Sequence, residues 1–237
     1  MDRKKLLSLT RQAIEEYKMI EEGDRIAVGL SGGKDSLALL IALSGLQKFY
    51  PKKFELMGIT CDVGFEGMDF TPVRELCEKN GISYTVVHTQ IAEIVFGRHK
   101  NERPCSLCAK LRKGAMYQKL QELGFNKIAY AHNKDDFLET ALMSLIYEGR
   151  FYAFPPVTPL ERSGITVIRP LMFVPEKSVE GFVQKEGLTI VKNACPADGA
   201  TRRAYAKGLV EQINRENPGA KDRIMHAIQN ANLEDWI

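Results

Sequence analysis

Apolar positions along this chain follow two alternating rhythms. Residues 2–21 place Leu6, Leu9, Ala13, Ile14 and Tyr17 near helical spacing among charged side chains, which predicts an amphipathic helix. Short apolar runs then alternate with longer helix-like stretches. The runs predict strands at 25–30, 54–60, 82–88, 127–131 and 165–168. The run at 82–88 is rich in β-branched and aromatic residues, which suit a pleated surface. Helices are predicted at 37–46, at about 69–80 with Gly81 as a C-terminal cap, from Cys105 to about 123, after Asp136 to about 147, and at 175–186. The aromatic and proline-rich stretch 151–159 reads as a loop. The remainder reads as helical, with turns at Cys195-Pro196 and at 217–219.

Strands alternating with helices predict an α/β fold: a parallel five-stranded sheet with helices on both faces, joined by right-handed crossovers. The expected division is an N-terminal helix at 1–22, an α/β domain at 23–190 carrying Cys105 and Cys108, and a helical C-terminal extension at 191–237 carrying Cys195. Ligands of such sheets gather at the carboxyl ends of the strands.

At the end of the first strand stand Ser31, Gly32, Gly33, Lys34, Asp35 and Ser36. Paired glycines let the backbone turn tightly beside a ligand, and the helix that follows presents unpaired N–H groups and a positive dipole end to an anion. Lys34 adds a charge, and Ser31 and Ser36 add hydroxyls. This is a phosphate-binding loop, but not the Walker type, which needs four residues between its first glycine and Gly-Lys-Ser/Thr. Ser-Gly-Gly-Lys-Asp-Ser resembles the pyrophosphate loop of the N-type ATP pyrophosphatases, which split ATP between its α and β phosphates and transfer AMP to a carbonyl-type oxygen.

Composition changes the picture in two places. A net charge of +3 does not announce a nucleic-acid binder, but the charge is clustered: Arg98, Lys100, Arg103, Lys110, Arg112 and Lys113 form one group, and Lys192, Arg202, Arg203 and Lys207 another. Five cysteines with no export signal argue against a disulfide framework. Cys61 and Cys77 read as small core residues. Cys105 and Cys108, two residues apart, can face one metal or cluster, with Cys195 as a third thiolate. An iron–sulfur cluster, zinc, a redox dithiol pair and incidental thiols all remain open on spacing alone. No apolar run reaches the roughly 20 residues of a membrane-spanning helix, and the charged amino terminus predicts a cytoplasmic protein.

A second chemical signal is His132, Asn133, Lys134, Asp135 and Asp136, followed by Glu139 and Thr140. Its paired carboxylates can hold a hydrated magnesium ion beside phosphates, or simply cap a helix. The segment resembles the second motif of tRNA-modifying pyrophosphatases, His-His/Asn-x-Asp-Asp-x-x-Glu-Thr.

Taken in order, the phosphate loop, Cys-Ser-Leu-Cys-x-x-x-Arg-x-Gly, His-x-x-Asp-Asp, the aromatic-Pro-Pro stretch, Ile168-Arg169-Pro170-Leu171, and a late cysteine followed by Arg202-Arg203 resemble the tRNA 2-thiocytidine synthetase family. The resemblance spans residues 23 to about 229. It implies an adenine nucleotide alpha hydrolase-like, PP-loop fold and a tRNA sulfurtransferase that adenylates the C2 oxygen of an anticodon-loop cytidine and replaces it with sulfur. The implied cofactors are ATP, Mg2+ and a 4Fe–4S cluster on Cys105, Cys108 and Cys195. The implied partners are tRNA and a sulfur donor (sulfide or a persulfide protein), with a homodimer and no membrane. Carried onto this sequence, ATP is expected at Leu30, Ser31, Gly32, Gly33, Lys34, Asp35, Ser36, Asp62 and His132. Catalysis is expected at Lys34, Asp35, Asp135 and Asp136, magnesium at Asp35 and Asp135, and RNA contacts at Lys110, Arg112, Arg202 and Arg203. Where relatives often carry a further Cys-x-x-Cys pair, this chain reads Pro196-Ala197-Asp198-Gly199. A tRNA uridine thiolase and a non-enzymatic nucleotide-binding iron–sulfur sensor remain the alternatives.

Overall fold

A computed structural model describes residues 1–97, 104–191, 194–195 and 202–231. The expected residues Arg98, Lys100, Arg103, Lys192 and the stretch 196–201 lie outside that range.

Elements follow in the order α1 (Arg3–Glu16), β1 (Asp24–Gly29), α2 (Lys34–Gln47), β2 (Phe54–Asp62), α3 (Thr71–Lys79), β3 (Ser83–His88), α4 (Ile91–Phe96), α5 (Pro104–Glu122), β4 (Lys127–Ala129), α6 (Lys134–Glu148), β5 (Val157–Leu160), β6 (Ile165–Ile168), α7 (Glu176–Lys185), α8 (Arg202–Glu216) and α9 (Ala220–Gln229). Every predicted strand is present, within a residue or two at its ends.

The sheet has six strands, not five, in the order β3-β2-β1-β4-β6-β5. All pairs are parallel except β5 with β6. The added strand lies partly in the stretch expected to be a loop. Pro159 inside it pairs with Thr166 across the ladder, a placement proline tolerates only at a sheet edge, and β5 is the edge. Arg169 fixes its start, donating through Nη1 to the Pro155 carbonyl (2.5 Å) and the Thr158 hydroxyl (2.9 Å). The short helix α4 was not anticipated.

The sheet separates two apolar layers. On one side α2, buried along nearly its whole length, packs with α1, α6 and α7 around Leu6, Ile14, Leu39, Leu40, Phe137 and Phe182; Val210, Met225 and Ile228 of α8 and α9 join the same core. On the other side α4 and α5 cover Ala27, Ile59, Cys61, Ile128 and Val167. The order reverses at β1, where β2 lies on one side and β4 on the other. A crevice therefore opens at the carboxyl end of β1, where the phosphate loop emerges. Among the described residues, no helix is long and apolar enough to cross a membrane.

Candidate active site

The phosphate loop is a turn followed by the first turn of α2. Gly32 has φ +78°, a conformation in which a side chain is strained. Gly33 is the N-cap, and the helix starts at Lys34, three residues before the predicted boundary. The first-turn N–H groups are thus presented to the crevice without side-chain caps. The serine hydroxyls shape the loop itself. Ser36 Oγ donates to the Gly33 carbonyl (2.8 Å), and Ser31 Oγ accepts from the Gly33 N–H (3.2 Å) and donates to Ser36 Oγ (3.3 Å). Behind Leu30, the Thr60 hydroxyl donates to its carbonyl (2.7 Å) and receives a hydrogen bond from Tyr84.

Lys34 Nζ lies between Asp35 (2.8 Å) and Glu176 (2.9 Å). Burial works against its charge, but the two carboxylates outweigh burial and raise its pKa. Glu176 also takes Lys207 (2.6 Å), which together with Lys34 keeps its carboxyl below the usual range despite burial.

The His132–Asp136 segment meets this loop through Asn133. Its Nδ2 donates to Asp35 Oδ1 (2.9 Å), while its backbone N–H donates to Asp136 Oδ2 (2.9 Å) in a reciprocal capping box for α6. Asp136 Oδ1 receives Arg203 (3.0 Å), and the same guanidinium reaches Glu139 (3.2 Å). Burial and the neighbouring Asp136 charge push Glu139 up to about 7, against the pull of Arg203 and Lys207. Asp135 is held from two sides. Its Oδ2 accepts from the Glu176 N–H (2.7 Å) and its Oδ1 from Lys221 (2.6 Å), so it pins α6 to α7 and α9. The segment's hydrogen bond to Asp35 comes from Asn133, and Asp136 lies near enough for the Asp35 charge to act on it.

His132 lines a cavity of about 210 Å³ together with Ser31, Gly33, Asp35, Arg112 and Tyr130. Its ring lies 4.6 Å from that of Phe154. Burial, then Arg169, Arg203 and Lys113, push its pKa down to about 3, so the imidazole is neutral near pH 7. It offers hydrogen bonding, not charge.

The second cavity, about 370 Å³, joins the two halves of the chemistry. Ser31 and Gly33 of the loop, Asp62 at the end of β2, and Cys105, Cys108, Arg112 and Cys195 all line it. Asp62 is held by His88 (3.0 Å) and by the Gly64 N–H (2.9 Å). None of the three cysteines is in a disulfide. Burial raises the Cys108 thiol's pKa; Arg112 opposes this, and the nearby Cys195 and Cys105 add to it. Among the described residues, no three His, Cys, Asp or Glu side chains are close enough to hold one metal ion. As a donor set the thiols fit a cluster: they face one space, from the first turn of α5 and from the segment after α7. That segment is docked on the loop. The Val191 N–H donates to the Gly32 carbonyl (3.0 Å), four residues before Cys195.

Of the expected RNA contacts, Lys110 and Arg202 are exposed, Arg202 lying 4.8 Å over the Tyr147 ring. Arg112 faces the cavities and Arg203 faces the acids of α6. Sequence reasoning missed Glu176 and Lys221. Each is a single charged residue near a helix start with no local pattern to mark it.

A family model described as a PP-loop domain matches residues 4–212. The tRNA-cytidine(32) 2-sulfurtransferase of Citrifermentans bemidjiense is 36% identical over 222 residues, covering 92% of this chain and 87% of the relative. That of Geobacter sulfurreducens is 34% identical over 233 residues, covering 96% and 90%. Among solved structures, the U34-tRNA thiolase NcsA from Methanococcus maripaludis, with its [4Fe-4S] cluster, superposes with a TM-score of 0.76 at 24% identity, over 97% of this chain and 79% of that one.

Proposed function

This chain belongs to the tRNA-cytidine(32) 2-sulfurtransferase family of PP-loop proteins, and from that premise we propose that it thiolates cytidine 32 of tRNA, using ATP and a 4Fe–4S cluster. The observation that carries this reading is the shared cavity: the phosphate loop and Cys105, Cys108 and Cys195 line one space, so an activated base carbon and a sulfur source can meet there.

The pyrophosphate of ATP is cradled by the N–H groups of Lys34 to Ser36 at the start of α2, with Lys34 supplying the cation. Ser31 and Ser36 hold the loop in shape. Asp35, oriented by Asn133, and Asp136 would hold a magnesium ion, which would neutralise phosphate charge. The C2 oxygen of the base attacks the α phosphate; pyrophosphate departs, and the adenylated oxygen becomes a leaving group. Cys105, Cys108 and Cys195 would hold a 4Fe–4S cluster, which would present sulfide beside the activated carbon. Hydrosulfide adds at C2 and loses its proton, the C2–O bond breaks, and AMP leaves with the former base oxygen. Arg112, which lines both cavities, is the cation available to meet the negative charge of the transferred AMP.

The test is to incubate anaerobically purified protein with ATP, sulfide and bulk tRNA. AMP and pyrophosphate should appear together with 2-thiocytidine in the nucleoside digest, and both iron and product should vanish in Cys105→Ala. Release of ADP, or sulfur on uridine alone, would overturn the reading.

A further inference from the structure

The larger cavity has a part that the chemistry above leaves unused. Besides the thiols, it is lined by Phe65, Met68, Phe70 and Phe96, all half-buried, with the rings of Phe65 and Phe96 5.7 Å apart. Apolar and aromatic side chains of this kind suit the faces of a nucleobase taken out of its stack. Among the described lining residues Asp62 is the only acid. Its carboxylate is fixed from two directions: Oδ1 accepts from the Gly64 N–H (2.9 Å), and Oδ2 lies 3.0 Å from His88 Nδ1. A carboxylate has about four lone-pair sites, so acceptor capacity remains on both oxygens. A fixed acceptor on the wall of such a space reads N–H groups, and the cytosine amine is the base group that acids accept from.

The sequence groups Asp62 with ATP, and adenine also carries an exocyclic amine. Two placements favour the target base. Asp62 lines the cavity of the cysteines and not the smaller one, which His132 and Tyr130 share with the phosphate loop. What meets Asp62 therefore lies beside the thiols, and the carbon that must meet sulfur belongs to the base. In addition, β1 and β2 pair in register up to Gly29 and Ile59, so the phosphate loop and Asp62 leave adjacent strands. Adjacent strands stand about 4.8 Å apart, close to the span of a pyrimidine between its C2 oxygen and its C4 substituent. A base with its C2 oxygen at the loop brings its C4 substituent to Asp62.

We propose that Asp62 accepts a hydrogen bond from the C4 amine of the target cytosine and so selects cytidine over uridine. Uridine presents a C4 carbonyl there, acceptor against acceptor, and is turned away. The inference rests on the thiolation reading above and adds to it the means by which two pyrimidines with the same C2 oxygen are told apart.

The experiment gives wild type and Asp62→Asn two transcripts of one tRNA that differ only in cytidine or uridine at position 32. In Asp62→Asn the Gly64 N–H can keep the amide oxygen, which leaves the amide N–H groups to donate to a C4 carbonyl. Nucleoside digests give the ratio of 2-thiocytidine to 2-thiouridine formed. Wild type should favour cytidine by roughly 10- to 100-fold, and Asp62→Asn should abolish or reverse that preference. A second measurement needs neither iron nor a variant: wild-type protein is titrated with anticodon stem-loop RNA carrying cytidine, or pyrimidin-2-one, which lacks the C4 amine, at position 32. Loss of the amine should weaken binding roughly tenfold. Equal affinity for the two stem-loops, or an unaltered ratio in folded Asp62→Asn, would overturn this inference alone. A raised KM for ATP with that ratio unaltered would assign the carboxylate to adenine instead. Wild type that thiolates neither transcript would overturn the thiolation reading and this inference with it.

Discussion

Gly32→Ala tests how firmly the segment carrying Cys195 is bound to the phosphate loop. A Cβ on Gly32 would stand 2.5 Å from Val191 Cβ and 2.7 Å from its Cγ2, far inside contact distance. The backbone at φ +78° adds a separate strain of about 1–2 kcal/mol for any L side chain. Displacing Val191 to relieve the clash breaks its N–H bond to the Gly32 carbonyl, worth about 1 kcal/mol. It also uncovers part of an isopropyl group that packs on the core, about another 1 kcal/mol. Backbone strain cannot be escaped by moving Val191, but the clash can. The total cost is therefore about 3–4 kcal/mol, a fall in melting temperature of roughly 6–16 °C for a chain of this size.

The clash and the strain separate in a double-mutant cycle. Val191→Gly removes the clashing atoms, so it should couple to Gly32→Ala by about 1–2 kcal/mol. Val191→Ala keeps the Cβ, the nearer of the two contacts, and should show little coupling. Thermal unfolding gives the energies, and the rate of Cys195 alkylation, faster in Gly32→Ala, reports that the segment has lifted. Equal coupling with both Val191 variants would refute the steric account, and an unchanged alkylation rate would show that the segment is held elsewhere.

Lys34→Met should lower AMP formation by roughly 10²–10³-fold, the cost of one positioned charge donor, while the fold stays intact because Asp35 keeps Asn133 and Glu176 keeps Lys207; pyrophosphate release measures it. His132, held near 3, stays neutral in the native state while the unfolded chain protonates near 6.5. Stability present above about pH 6.5 should therefore fall with acid at up to about 1.4 kcal/mol per pH unit, and His132→Asn should flatten that slope in urea titrations between pH 7 and pH 5. Arg203→Met should destabilise by about 1–2 kcal/mol, discounted for its partly exposed guanidinium, whereas Lys110→Ala and Arg202→Ala should leave melting unchanged and weaken tRNA binding in a salt-dependent way.

What the sequence shows clearly is what lies contiguous within it. The strands at 54–62 and 83–88 carry their own β-forming runs, and the phosphate loop carries its chemistry in six consecutive residues. The first turn of α2 was read as loop because Lys34, Asp35 and Ser36 are polar; Gly33 as N-cap moves the helix start forward. What depends on tertiary contact is invisible in the same residues. Asp135 and Asp136 are chemically identical neighbours, yet one faces Lys221 and α7 and the other faces Arg203 and the loop. Only the packing of α7, α8 and α9 distinguishes them. Arg203 reads as an RNA contact on charge, and the acids of α6 draw it inward. Cys61 reads as core and is core, but its strand also ends on a cavity wall.

The charges around the loop are interleaved, and the interleaving constrains how the loop can work. Asp35, Asp136, Glu139 and Glu176 converge on a half-buried region, and each meets a cation or an amide: Lys34, Arg203, Lys207 or Asn133. A cation that must turn to a phosphate cannot also be the sole partner of a buried carboxylate, because releasing that carboxylate leaves it desolvated and unpaired. Lys34 escapes this constraint. Its partner Glu176 holds Lys207 as well, and its partner Asp35 holds Asn133. Both acids remain hydrogen-bonded when Lys34 swings to the pyrophosphate, so the lysine is held in place without being locked. Lys207 and Arg203 lie on α8, the helix that follows Cys195 in the chain. The same helix therefore holds acids from both α6 and α7 while leaving Lys34 free to turn.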